Sequence, residues 1–276
     1  MVAVETHGDV IHVTMASWRS RLARYSVSAY LVRGVLVDTG FPSIGGELAR
    51  LLAERRPAAV MLTHHHEDHA GNLDLVARLG LPIAAAPATL AALRAGEKHV
   101  GLYRRLIWGS QRPFAEVVTP FTHDALHLLP APGHSPDHHV VWDGDRELLF
   151  GGDLYLGTKV RVARPGEDPR ELARTLRRMI ALRPRVLFDG HRGLVPNAVQ
   201  ALTAKADWLD ETIGRIDALT AAGWSRDAIR REVLGREEFT WWFTAGDLGR
   251  GVFVRLVCDG GQRRAPTNSS HASGQT

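Results

Sequence analysis

Four times in this 276-residue chain an apolar run of strand length ends in a small-residue turn, and a potential metal ligand follows at once. Val60-Met61-Leu62 leads through Thr63 to His64, His66, Asp68 and His69. The run 126–129 leads to Pro132-Gly133-His134, Leu148-Leu149-Phe150 to Gly151-Gly152-Asp153, and Val186-Leu187-Phe188 to Asp189-Gly190-His191. If the four strands are neighbours, their ends meet at one edge of the core, and the ligands meet with them. Glycine lets the backbone turn sharply just before the ligand.

The first cluster, Thr63-His64-His65-His66-Glu67-Asp68-His69, holds four of the 14 histidines. In an extended segment, residues two apart point the same way, so His64 and His66 can grip one ion while His65 points elsewhere. Asp68 and His69 follow at the turn into a helix, offset toward a second ion. This is not the His-Glu-x-x-His helix of zinc proteases: the one pair of histidines four apart here, His65 and His69, has His66 where that motif needs glutamate. Imidazole and carboxylate donors suit zinc, and also iron and manganese. Singly, each residue has an ordinary structural reading. Asp68 reads as a helix N-cap, His134 as a core histidine, and Asp153 and Asp189-Gly190-His191 as turns. Together, beside so dense a first cluster, they call for metal. His65, His138 and His139 are read as non-ligands.

The remaining pattern alternates strands and helices. Residues 10–14 and 26–32 read as strands, and 35–37 as a strand ending at Asp38-Thr39-Gly40. A helix over 44–55 presents Ile44, Leu48, Leu51 and Leu52 on one face. A strand at 81–85 and a helix at 88–94 precede residues 95–121, read as an irregular insertion near a site mouth. Strands follow at 125–129, 139–142, 147–150 and 185–188. Asp168, Pro169 and Glu171 mark the start of a helix over 169–182. Beyond residue 196 the texture becomes helical. A long amphipathic helix carries Val199, Leu202, Leu209, Ile213, Ile216 and Leu219, and another spans 226–234. The expected divisions are a catalytic domain over 1–195, a helical appendage over 196–258 and a disordered tail over 259–276. The alternating N-terminal strands and the hairpin turn Asp143-Gly144-Asp145 argue for mixed sheets covered by helices.

Composition narrows the function classes. The hydrophobic fraction of 45% and charged fraction of 23% are those of a globular protein with a sizeable core. Cys258 is the single cysteine, so no internal disulfide is possible and no thiolate is available to the site. The formal charge is +4, with arginines spread along the chain, whereas a nucleic-acid surface needs a concentrated stripe. No signal peptide or membrane span is visible. A cytoplasmic enzyme with a small-molecule substrate, and with neither nucleic acid nor membrane as partner, is the expectation.

The string Thr63-His64-His65-His66-Glu67-Asp68-His69 resembles the His-x-His-x-Asp-His signature of the metallo-β-lactamase superfamily. The order His134, Asp153, His191 resembles its downstream ligands, and Val37-Asp38-Thr39-Gly40 an early strand-end motif. The resemblance spans roughly residues 10 to 195. It implies an α/β fold, an αββα sandwich, here with a C-terminal helical appendage and with metals at the sheet edge. It implies one metal on His64, His66 and His134, a second on Asp68, His69 and His191, and Asp153 bridging them. Asp38 would orient a ligand from behind.

The resemblance also implies chemistry. True β-lactamases of the superfamily lack the bridging aspartate, so Asp153 points to its glyoxalase-II-like, lactonase-like and phosphodiesterase branches. The Cys-Gly pair usual in glyoxalase II is replaced by Leu154-Tyr155-Leu156-Gly157-Thr158-Lys159. Tyr155 resembles a lactonase tyrosine but sits two positions after the aspartate instead of three. The expectation is two divalent ions, zinc first and iron or manganese next. They would hold a bridging hydroxide that attacks a small ester, thioester or lactone. Asp68 and Tyr155 are the catalytic candidates, and Tyr155, Lys159, Trp108 and Arg112 the candidate substrate contacts. The alternatives are a mononuclear-iron persulfide dioxygenase and a zinc phosphodiesterase.

Overall fold

The computed structural model describes residues 1–22, 24–96 and 101–262. Two sheets stack face to face. The first contains β1 (Val2–His7), β2 (Val10–Met15), β3 (Val27–Val32), β4 (Val35–Val37), β5 (Ala59–Met61) and β6 (Ile83–Ala84), in that order. Strands β1 to β4 are antiparallel, and β5 and β6 join parallel to β4. The second contains β7 (Leu126–Pro130), β8 (His139–Asp143), β9 (Leu148–Gly152), β10 (Val186–Asp189) and β11 (Gly193–Pro196), in the order β11-β10-β9-β8-β7. Only the β9–β10 pair in it is parallel.

Side-chain alternation divides the apolar residues between layers. In β4, Val35 and Val37 face the second sheet while Leu36 faces outward to helices. In β9, Leu148 and Phe150 face the first sheet and Leu149 turns to the other side. Phe150 and Phe188 stack with centroids 4.9 Å apart between the sheets, against Tyr30. Helices close both outer faces, giving the expected αββα sandwich. The short α1 (Trp18–Leu22), α2 (Gly45–Arg55), α3 (Glu67–Ala70), α4 (Leu73–Arg78), α5 (Pro87–Ala95) and α6 (Leu102–Trp108) belong to the half of the first sheet. On the second sheet lie α7 (Pro169–Ala181), α8 (Ala198–Ala221), α9 (Arg226–Val233), α10 (Phe239–Phe243) and α11 (Arg250–Gln262). One apolar cluster joins Leu149 and Leu187 of the sheet to Leu176 of α7, Leu202 and Leu209 of α8 and Val254 of α11.

The capping signals act as the sequence suggests. Asp168 accepts from the amides of Arg170 and Glu171. Residues 101–121 differ from the irregular insertion expected over 95–121, of which 97–100 lie outside the described residues. They contain α6, flanked by Gly101 and Gly109, and its Tyr103, Ile107 and Trp108 are buried against the first sheet's helical layer. Arg104-Arg105 in mid-helix had masked its apolar face. Of the tail expected over 259–276, residues 259–262 complete α11, and 263–276 lie outside the described residues. Among the described residues no helix is long and apolar enough to cross a membrane.

Candidate metal centre

The loop after β5 is fixed from below by Asp38. This residue sits at φ +64°, a left-handed conformation that aspartate tolerates better than most side chains. Its carboxylate accepts from the Thr63 amide at 2.8 Å and from the Thr63 hydroxyl, and it stands 2.8 Å from His69 Nδ1. A carboxylate only accepts, so Nδ1 carries the proton and Nε2 of His69 turns a lone pair toward the site. The chain then enters α3 with His66 at the N-cap. Asp68 lies in the first helical turn and is not the cap residue that its position in the sequence suggests.

The strand-end ligands converge in two groups. His64, His66, His134 and Asp153 form one, and Asp68, His69 and His191 the other, with donor atoms in each within 4.8 Å of one another. His66 Nδ1 lies 2.9 Å from His64 Nε2 and 2.9 Å from His134 Nε2, although it can share a proton with only one of them. Asp153 Oδ2 is 3.2 Å from His134 Nε2. Asp153 Oδ1 is 3.1 Å from His69 Nε2 and 3.3 Å from His191 Nε2. A tetrahedral ion with bonds of about 2.0–2.1 Å needs donors roughly 3.3 Å apart. His69 Nε2 and Asp153 Oδ1 are buried and have no hydrogen-bond partner among the described residues. Convergent ring nitrogens and orphaned buried donors fit a metal and fit poorly with a dry protein core.

Ligation needs neutral imidazole, and the two groups differ in this. Burial disfavours the charged forms of His69 and His191, but Asp153, together with Asp38 at His69 and Asp68 at His191, outweighs it and raises both well above the ordinary histidine range. Burial holds His64 and His66 well below the ordinary histidine range and brings His134 down to about 3. Burial disfavours the Asp68 carboxylate, but the hydrogen bond to His191 and the charges of His69 and His191 outweigh it and keep it ionised. His191 is oriented by its Nδ1, which donates to the Ser26 carbonyl at 2.8 Å.

The glycines before the ligands serve two different ends. At Gly152 the backbone turns through φ +49°. Both Gly152 and Gly190 also serve closeness: a Cβ at Gly152 would stand 2.8 Å from Thr63 Oγ1, and one at Gly190 2.7 Å from His69 Cε1 and 2.9 Å from Asp153 Oδ1. Gly190→Ala is therefore expected to lower metal content while the circular dichroism spectrum stays native. Full metal occupancy in that variant would show that the two groups tolerate separation.

His65 turns away as its strand register suggests. Its Nδ1 donates to Asp137 Oδ1 at 2.8 Å and its amide to Asp137 Oδ2 at 3.0 Å. His64→Ala is expected to lose metal, whereas His65→Ala should keep it and cost about 1 kcal/mol of stability through the lost hydrogen bond. Identical metal loss in the two would refute the register. His138 is a non-ligand with a task that sequence pattern does not signal. It is fully buried, donates through Nδ1 to the Ala131 carbonyl at 3.0 Å, and accepts from the Asp153 amide at 3.1 Å.

Asp68, His134, Asp153 and His191 open on a cavity of about 630 Å³. Trp108 and Lys159 line it, as expected for substrate contacts. Tyr155 does not: its hydroxyl shares a hydrogen bond of 3.0 Å with Thr158, and its ring packs on the helical cluster. Arg112 lies on separate clefts beside Ser110 and Gln111. Sequence reading also missed Glu67, whose carboxylate is buried against the Arg104 guanidinium of α6.

Sheets, helical layers and a histidine–aspartate centre at the strand ends define a metal-binding αββα protein, and both ligand groups suit divalent ions. The chain belongs to the metallo-β-lactamase superfamily, whose family model matches residues 22–191. It is similar to the "Probable metallo-hydrolase YybB" of Bacillus subtilis, 31% identical over 131 residues, which cover 45% of this chain and 58% of that protein. It is also similar to a hydroxyacylglutathione hydrolase of Methylococcus capsulatus, 29% identical over 66% of this chain and 68% of that one. Among solved structures, TTHA1623 in a di-iron-bound form is 30% identical, with TM-score 0.52, over 64% of this chain and 92% of that chain. The chain spans little more than half the length of several curated relatives it matches.

Proposed function

We propose that the chain is a dinuclear metal-dependent hydrolase that cleaves a small ester, thioester or lactone. The observation that carries this reading is the Asp153 carboxylate, which turns one oxygen to His134 and the other to His69 and His191. The hydroxyacylglutathione hydrolase relative supports the thioester arm, and the di-iron neighbour supports a site for two ions. In this reading His64, His66 and His134 hold one cation, Asp68, His69 and His191 hold the other, and Asp153 serves both. Zinc suits these donors best, with iron and manganese next. Bound there, divalent cations supply Lewis acidity toward the scissile carbonyl and lower the pKa of an attacking water.

The protein's own part is to hold the donors in place before substrate arrives. Asp38 and the Ser26 carbonyl set the ring orientations of His69 and His191. His138 accepts from the Asp153 amide and so fixes the backbone from which the carboxylate projects. Asp68 opens on the cavity with Oδ2 3.5 Å from His191 Nε2, where it can orient the attacking water and receive its proton. Trp108 and Ile107 wall off solvent on one side. Tyr155 has no part in this reading, because its hydroxyl is committed to Thr158.

Elemental analysis of protein purified without added metal, with assays on lactones, thioesters and bis-aryl phosphodiesters, tests the proposal. Close to two ions per chain and ester or thioester turnover are expected. A single firmly bound iron, with oxygen consumed on a persulfide, would replace hydrolase by dioxygenase.

A further inference from the structure

The cations around the cavity are not equivalent. Arg104 of α6, which does not line it, is matched by Glu67. Lys205 donates to the carbonyls of Leu154 and Tyr155, and Arg192 to the carbonyl of Leu156. Arg250 donates to the carbonyls of Leu234 and Arg236 and pairs with Glu238. Arg164 differs. It is half-buried in the cavity wall, and among the described residues its guanidinium has neither hydrogen bond nor ion pair.

Its place is well defined. The neighbouring Ala163 exchanges two backbone hydrogen bonds of 3.2 Å with Gly249, and the Arg164 carbonyl accepts from the Glu167 amide at 3.2 Å. Arg164 lines the same cavity as Tyr103, Asp68 and His134. The surrounding carboxylates are directed elsewhere. Glu67 is bound to Arg104, Asp68 faces His191, and Glu167 turns Oε1 to His134 Nδ1 at 3.6 Å. At the rim Arg24, Lys159 and Arg161 are exposed, and their side chains also lack hydrogen bonds and ion pairs among the described residues.

A partly desolvated cation without a counterion is costly, and a guanidinium offers a rigid fork matched to two oxygens of an anion. A cleft mouth with cations of one sign raises the local concentration of anions. We propose that Arg164 anchors an anionic group of the substrate, a carboxylate or a phosphoryl group lying away from the scissile bond, with Arg24, Lys159 and Arg161 steering it in. This assigns the substrate's charge class and rests on the hydrolase reading for the identity of the bond cleaved.

The test pairs kinetics with direct binding. Three thioesters share one acyl group and differ only in a neutral, carboxylate-bearing or phosphoryl-bearing leaving thiol. Wild-type protein is expected to favour one anionic member over the neutral one by roughly 10- to 100-fold in kcat/KM, mainly through KM. In Arg164→Gln that preference should collapse to a few-fold, and Arg164→Lys should restore part of it. Whichever anionic member is favoured identifies the group. Separately, calorimetry with 3-phenylpropionate, phenyl phosphate and the neutral 3-phenylpropanol should show anion binding that weakens at least tenfold in Arg164→Gln at unchanged metal content. If no thioester, ester or lactone is cleaved but this Arg164-dependent binding persists, the hydrolase reading fails and the anion site stands. Equal anion binding by wild type and Arg164→Gln, absence of anion binding by both, or an anionic preference that survives the substitution overturns the proposal.

Discussion

Asp153→Ala is expected to lower metal content and to cost roughly a hundredfold or more in rate, judging from what the loss of metal ligands and their supports costs elsewhere. The argument is local. Asp153 Oδ2 lies 3.2 Å from His134 Nε2, and Oδ1 lies within 3.3 Å of both His69 and His191. One carboxylate thus faces both ligand groups and supplies the negative charge that offsets the repulsion between two cations. Alanine removes both oxygens, while asparagine keeps one and should retain more metal than alanine does. The fold should persist, because the residue follows β9 and its side chain belongs to none of the apolar clusters. Metal analysis, circular dichroism and the ester, thioester and phosphodiester panel check the three statements together. Two retained ions and full activity in the alanine variant would take Asp153 out of the site and reopen a β-lactamase-like assignment.

Much of the architecture was legible because it rests on short-range rules. Alternation and β-branched runs marked β2 and β3, short apolar runs marked the strands that end in ligands, and Asp168, Pro169 and Glu171 marked the start of α7. The ligand set was legible because each member follows an apolar strand, so finding the strands located the donors. What escaped notice depends on tertiary contact. The helix α6 hides behind paired arginines, and one of them, Arg104, answers a carboxylate 37 residues away. His138 looks like any histidine until its ring is seen between the Ala131 carbonyl and the Asp153 amide. The edge strand β1 is largely exposed, and β11 is only four residues long, so neither carries a strong apolar signature. Tyr155 illustrates the same dependence on tertiary contact. Proximity to Asp153 in sequence suggested the cavity, but the turn after β9 directs the ring into the helical layer.

The pair between Glu67 and Arg104 sets the second large expectation, this one for stability. Glu67 lies between His66 and Asp68, so its carboxylate ties the ligand loop to α6. Arg104 Nε donates to Oε1 at 2.6 Å and a terminal nitrogen donates to Oε2, a two-pronged contact with both side chains about 95% buried. Such a pair adds little over a well-packed apolar substitute, because both charges have been stripped of water. Breaking it from one side is different, since the surviving carboxylate stays buried without its counterion. Arg104→Met should therefore cost about 3–5 kcal/mol. At roughly 2–4 °C per kcal/mol for domains of this size, Tm should fall on the order of 10 °C. Glu67→Gln combined with Arg104→Met removes both charges and should recover a large part of that loss, which no sum of independent effects would give. Chelator titration of the same variants reads the loop itself: Arg104→Met should release metal at lower chelator concentration, and the double variant should hold it better. A single variant as stable as wild type would mean that water reaches Glu67, and a double variant worse than either single one would mean that the pair is a net source of stability.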